Sequence, residues 1–179
     1  MTKEEFLVHF KKPINKKAVQ ALAQTSSSSP ESIKCLLELS FHPHAQVSFR
    51  AAWVLEHCVG YSYDGMIPNL PSFLDKYISQ HNNSCKRLFT KILVFFSGRE
   101  RIELLNRYEL SPVIETTFEW LINSETPVAV QANCLDILFN LRHKCDWVEE
   151  ELKSQVVFML RDGTAAMQSR GKKLLKKLG

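Results

Sequence analysis

Two short stretches place metal-ligating side chains close together: His42-x-His44, around Pro43, and His143-x-Cys145. Imidazole nitrogen and thiolate sulfur both bind zinc, but a tetrahedral site needs a second pair, and neither stretch has one at zinc spacing. The alternative for each is a turn histidine that caps a helix or faces water. His57 and Cys58 are adjacent, so on a helix they point to different faces. Nucleophilic catalysis needs a Ser or Cys next to an activating base. There is no Gly-x-Ser-x-Gly elbow, and the six histidines are scattered. Glu149-Glu150-Glu151 groups three carboxylates, but at the start of a helical pattern, where acids suit the helix dipole. The six glycines are dispersed, and none opens a phosphate-binding loop. The expectation is a non-enzyme with no catalytic residue, no metal site and no cofactor.

Charge is distributed unevenly. Residues 1–17 hold five lysines and two glutamates, residues 164–179 hold Arg170, Lys172, Lys173, Lys176 and Lys177 without an acid, and the stretch between them is net acidic. The basic last helix reads either as a capping helix with cations at its C-terminal end or as a contact for nucleic acid or an acidic partner. The five cysteines are odd in number and form no Cys-x-x-Cys pair, which suits reduced thiols in a cytoplasmic protein. Cys35, Cys58 and Cys134 fall in apolar helical stretches, and the thiols are expected to be mostly buried as small hydrophobes. The opening MTKEEFLVHFKK has acids where a signal peptide is basic, and it reads as a first helix. No apolar run nears the roughly 20 residues of a membrane helix.

Helical periodicity carries all of these residues, and strand signals are absent. At 45% hydrophobic and 23% charged, the composition is that of a globular chain able to bury one continuous domain over 1–179. Breakers divide it into about five helix pairs: 2–11 with 15–24, 32–41 with 45–59, 71–80 with 84–97, 112–122 with 127–142, and 147–161 with 165–178. A short helix is expected over 101–107, and 61–69 is the longest irregular stretch. Ser26 to Ser29 with Pro30 form a polar linker into a helix. The second helices align with one another. Residues 42–55 and 162–175 each carry a turn, an apolar residue, Arg, a small residue and an apolar close, which puts positions 50, 87, 131 and 170 in one register. Their spacings of 37, 44 and 39 approach the roughly 40–47 residues of two-helix repeats. Ala51, Ala132 and Gly171 are the small residues expected where two helices cross closely.

Residues 42–55 resemble the second helix of the HEAT-repeat family, whose pattern is Asp-Pro-x-x-x-Val-Arg-x-x-Ala-Ala-x-Ala-Leu. Pro43, Val47, Ala51, Ala52 and Leu55 match it. His42 stands at the family's Asp and Ser48 at its Arg, so the Asp–Arg ladder of such repeats lacks both partners here. The resemblance implies an all-α superhelix, or solenoid, of HEAT-like hairpins. The Thr-Lys-Glu-Glu opening and the Arg-Ala-Ala-Trp-Val-Leu-Glu segment also look like small HEAT-like proteins of Bacteroidetes, some labelled adenylosuccinate lyase. That lyase superfamily is much longer and carries a Ser-Ser-x-Met-Pro-x-Lys loop. Residues 26–29 are followed by Pro-Glu-Ser, so the activity is not expected.

Second helices line the concave surface in HEAT solenoids. The resemblance therefore implies a ladder of Arg50, Arg87, Gln131 and Arg170, with Trp53 and His57 beside Arg50 and with Lys172 and Lys173 at the end. Such a row suits a protein or peptide partner, an acidic partner or a phosphate backbone. The alternative is that Trp53 packs between repeats and Arg50 pairs with an acid such as Glu56. The competing function is a nucleic-acid-binding or DNA-repair protein with a basic concave face, for which Trp53, Trp120 and Trp147 are available. The acidic middle of the chain argues against it.

Overall fold

The computed structural model describes residues 1–178. Helix ends are set by local chemistry. Glu5 N–H donates to Thr2 Oγ1 and Thr2 N–H to Glu5 Oε2, a reciprocal box that starts α1 (Lys3–Phe10). Asn15 accepts Ala18 N–H to start α2 (Lys16–Ser26). Ser29 caps α3 (Pro30–Leu39), with Pro30 at its first turn. α4 (Ala45–Tyr61), α5 (Leu70–Ile78), α6 (Asn83–Ser97), α7 (Ser111–Ile122), α8 (Val128–Leu141), α9 (Val148–Asp162) and α10 (Ala165–Leu178) follow. Only helices and turns occur among the described residues, so the fold is all-α, as expected.

Two local expectations change. The helix expected over 101–107 is a short 3-10 turn, Ile102–Leu105. The irregular stretch expected from residue 61 is shorter, because α4 runs on to Tyr61 and a 3-10 turn, Ile67–Asn69, leads into α5. Gly60 does not end α4. What remains of the loop is tied down: Gly65 N–H donates to Ser27 O at 3.2 Å. Asn69 Nδ2 donates to Pro30 O at 2.9 Å and to Gly65 O at 2.8 Å.

Packing divides the chain into two compact units, Met1–Ile92 and Leu93–Gly179. In the first, α3 and α4 form a hairpin against which both α1 and α2 pack, and Phe73 of α5 meets Phe89 of α6 at 5.3 Å between ring centroids. In the second, α7 pairs with α8 and α9 with α10, and α8 also touches α9 and α10.

Burial sets the repeat register. The buried stripe is Val47, Ala51, Val54 and Cys58 on α4, and Cys85, Phe89, Ile92 and Phe96 on α6. On α8 it is Val130, Cys134, Ile137 and Leu141, and on α10 it is Met167, Gly171, Leu174 and Leu178. Every stripe runs i, i+4, i+7, i+11, one face of a helix. This moves the alignment by one residue on α6 and by two on α8, so that Leu88 and Asn133, not Arg87 and Gln131, share the register of Arg50 and Arg170. A two-residue slip turns a side chain by about 200°, to the other flank of its helix. Cys134 accordingly fills the buried place expected for Ala132, which is half-buried. Gly171 sits as expected: a Cβ there would lie 3.3 Å from Val156 and Leu160 of α9.

Candidate functional site

In the first unit the face of α4 beside its buried stripe carries Arg50, Trp53 and His57, all partly exposed. Arg50 is engaged: Nη1 donates to Phe10 O, the last residue of α1, at 2.6 Å. A cation at that helix end satisfies a free carbonyl and complements the dipole. Arg50 thus has a fixed partner, but it is not Glu56. Glu56 instead takes Lys91 of α6 as a hydrogen-bonded ion-pair partner. His57 Nδ1 lies 2.8 Å from Glu56 Oε2, at ion-pair distance but out of line for a hydrogen bond. Trp53 stacks on Phe49 at 5.7 Å and meets the edge of His57 at 6.0 Å. Lys91 occupies on α6 the register place of Trp53. Arg87 is exposed one residue off the register.

The two departures from the HEAT pattern have structural counterparts. Ser48, at the family's Arg position, is buried and donates through Oγ to Ser40 O at 2.7 Å, at the end of α3. Cys85 Sγ of α6 lies 3.1 Å from the same hydroxyl, and Gln80 Nε2 approaches Ser40 O at 3.4 Å. A serine, a glutamine and a backbone carbonyl here stand where the family uses a charged ladder. His42, at the Asp position, accepts His44 N–H through Nδ1 at 3.0 Å and so fastens its turn.

In the second unit the register places are Asn133, Asp136 and Asn140 on α8, and Arg170, Lys173 and Lys177 on α10. Arg170 pairs with Asp136 through two hydrogen bonds, Nε to Oδ1 at 3.2 Å and Nη2 to Oδ2. This bidentate pair joins the second helices of successive repeats. Beside it Phe139 carries two cations: the Arg142 guanidinium at 4.2 Å from the ring centroid and Lys177 Nζ at 5.6 Å. Arg142 also donates to Phe139 O at 2.7 Å and lies 3.7 Å from Glu149. The Glu149 carboxyl is held below its ordinary 4.5, first by the hydrogen bond from Lys153, then by the charges of Lys153, His143 and Arg142. Asp136, Ser169, Arg170, Lys173, Leu174 and Lys177 line a shallow recess of about 320 Å³. Lys172 and Lys176 are exposed on another flank of α10.

Gln131 belongs elsewhere. Its Nε2 donates to Leu121 O at 3.1 Å and Asn123 O at 3.2 Å, closing the end of α7. It borders a recess of about 370 Å³ lined by Ile122, Val128, Phe158, Met159 and Met167. Of the tryptophans weighed for stacking, Trp120 is buried, and Trp147 precedes α9 against Phe118 at 5.3 Å. Trp53 alone of the three lies on a second helix. Cys58, Cys85 and Cys134 are fully buried, while Cys35 and Cys145 are half-exposed. Burial pushes the Cys58 thiol up to about 12, and it raises Cys85 as well.

Paired helices whose second members repeat one buried stripe define an all-α helical-repeat protein. The HEAT repeat domain model matches residues 6–178, and the chain belongs to that family. HEAT repeats generally serve as scaffolds for protein interaction. The narrower likeness to small bacterial HEAT-like proteins, and with it the lyase label, gains no support from the match. Comparison with curated proteins gives no match. No helix among the described residues is long and apolar enough to cross a membrane.

Proposed function

We propose that this chain is a non-catalytic scaffold that holds a protein partner on the faces of its second helices. The observation that carries this reading is the character of those faces. Beside the buried stripes of α4, α8 and α10 stand partly exposed aromatic and charged side chains that the fold already holds in place: Trp53 between Phe49 and His57, Arg170 on Asp136, and Arg142 on Phe139. Aromatic and arginine anchors supply much of the energy at protein interfaces, and fixing them beforehand lowers the entropy lost on binding. Thiols packed as small hydrophobes suit the reducing cytoplasm as its location.

The test is capture from a lysate with the whole chain, read by quantitative mass spectrometry. A partner held by the second helices is retained by wild type, lost with Trp53→Ala or Lys173→Glu/Lys177→Glu, and kept by Glu115→Lys on α7. A partner lost equally with Glu115→Lys would overturn the reading. Nucleic acid is the competing ligand. A gel shift at about 50 mM salt, where phosphate contacts are strong, would reveal it.

A further inference from the structure

We propose that the α8–α10 face of the second unit docks an acidic segment of a protein partner, its carboxylates pairing with Lys173 and Lys177. This rests on the scaffold reading above and names the chemistry of the partner at one of its faces. The first support is the sorting of charge. Residues 165–178 carry five basic side chains and no acid, whereas residues 93–164 carry seven basic and twelve acidic ones. The unit is therefore neutral as a whole, with a cationic surplus confined to one helix.

The second support is how that surplus is used. Among the described residues, Arg170 has an acidic partner in Asp136, but Lys172, Lys173, Lys176 and Lys177 have none. Lys173 and Lys177 border the recess, and Lys177 Nζ lies 5.6 Å from the Phe139 ring centroid. The Arg170–Asp136 pair in its lining neutralises itself, leaving Lys173 and Lys177 to a ligand.

Spacing fits as well. Lys173 and Lys177 are one helical turn apart, about 6 Å along the axis. Carboxylates at i and i+2 of an extended segment lie about 7 Å apart, so alternate acidic residues can meet both lysines. A duplex is disfavoured because its charge runs on beyond the site: past α10 it would meet the acid-rich remainder of the unit.

The experiment uses the full chain and fluorescence anisotropy with a labelled eight-residue peptide of alternating Glu and Gly, beside a labelled DNA duplex. Two variants of equal charge are compared: Lys173→Glu/Lys177→Glu on the recess, and Lys172→Glu/Lys176→Glu on the other flank. All four lysines are borders or surface positions, and circular dichroism checks that both variants fold. The proposal expects peptide binding at low salt, weakened about tenfold or more by the recess pair and less than about threefold by the flank pair. Equal weakening by the two pairs overturns it, because charge without a site would then explain the binding. No peptide binding, or tighter binding of the duplex, also overturns it. Failure here with partner capture still dependent on Trp53 would leave the scaffold reading standing, whereas loss of both would remove it.

Discussion

Ser48 offers the sharpest perturbation, because it occupies a position that the repeat family gives to arginine. Its hydroxyl is buried and donates to Ser40 O at 2.7 Å. Replacing it with alanine removes that bond, and Gln80 Nε2 at 3.4 Å then serves the carbonyl weakly. A buried hydrogen bond contributes about 1 kcal/mol net, and a stranded carbonyl raises the loss toward about 3 kcal/mol. Alanine's better helix propensity offsets roughly 0.5 kcal/mol. The expected loss for Ser48→Ala is therefore about 0.5–2.5 kcal/mol, at about 2–4 °C in Tm per kcal/mol for a chain of this size. Ser48→Arg, the family's own residue, meets a place closed by Cys85 Sγ at 3.1 Å. It must either bury an unpaired cation or open the α4–α6 contact, at a cost of about 3–5 kcal/mol. Urea unfolding followed at 222 nm reads both variants. If Ser48→Arg proves as stable as wild type, the α3–α4–α6 junction is not closed around the serine, and the argument for a neutral link in place of the charged ladder fails.

Three further outcomes follow from the packing. Gly65→Ala would set a Cβ 2.5 Å from the backbone oxygen of Ser27, so it should destabilise by about 1–3 kcal/mol, measurable by the same unfolding assay. At Gly171 a methyl meets Val156 and Leu160 at 3.3 Å while alanine gains about 1 kcal/mol of helix propensity, so Gly171→Ala should be near neutral and Gly171→Leu clearly destabilising. Iodoacetamide on the folded chain should modify Cys35 and Cys145 well before Cys58, Cys85 and Cys134, a ranking that peptide mass spectrometry reads. Cys58 keeps its proton to about pH 12 when folded but loses it near 9 when unfolded, so the unfolded state binds fewer protons across that window. Stability should therefore fall as pH rises above about 9, by up to about 1.4 kcal/mol per unit for this thiol, as unfolding curves across the range would show.

The all-α repeat was legible because i, i+4, i+7 stripes and cap residues are local signals, and residues 42–55 carry the family's apolar pattern at the right spacing. The register of α6 and α8 was not. The opening of α8, Val-Ala-Val-Gln-Ala, fits two alignments, and α6 opens on polar residues around Cys85, so which residues are buried decides the register. Arg50 shows a second limit. Its type and spacing suggested a ligand contact, but its partner is a backbone carbonyl 40 residues away, which no spacing rule exposes. The lysines of α10 were visible as a charge run. Their meeting with Phe139 and Arg142 of α8 depends on how the two helices pack.

The most direct measurement is cross-linking mass spectrometry on the complex of this chain with a captured partner, using an amine-reactive linker. Lysines on first helices, Lys34, Lys76 and Lys153, serve as internal controls for those on second helices, Lys91, Lys173 and Lys177. The account predicts partner cross-links concentrated on the second-helix set. Cross-links concentrated on Lys34, Lys76 and Lys153 would contradict it.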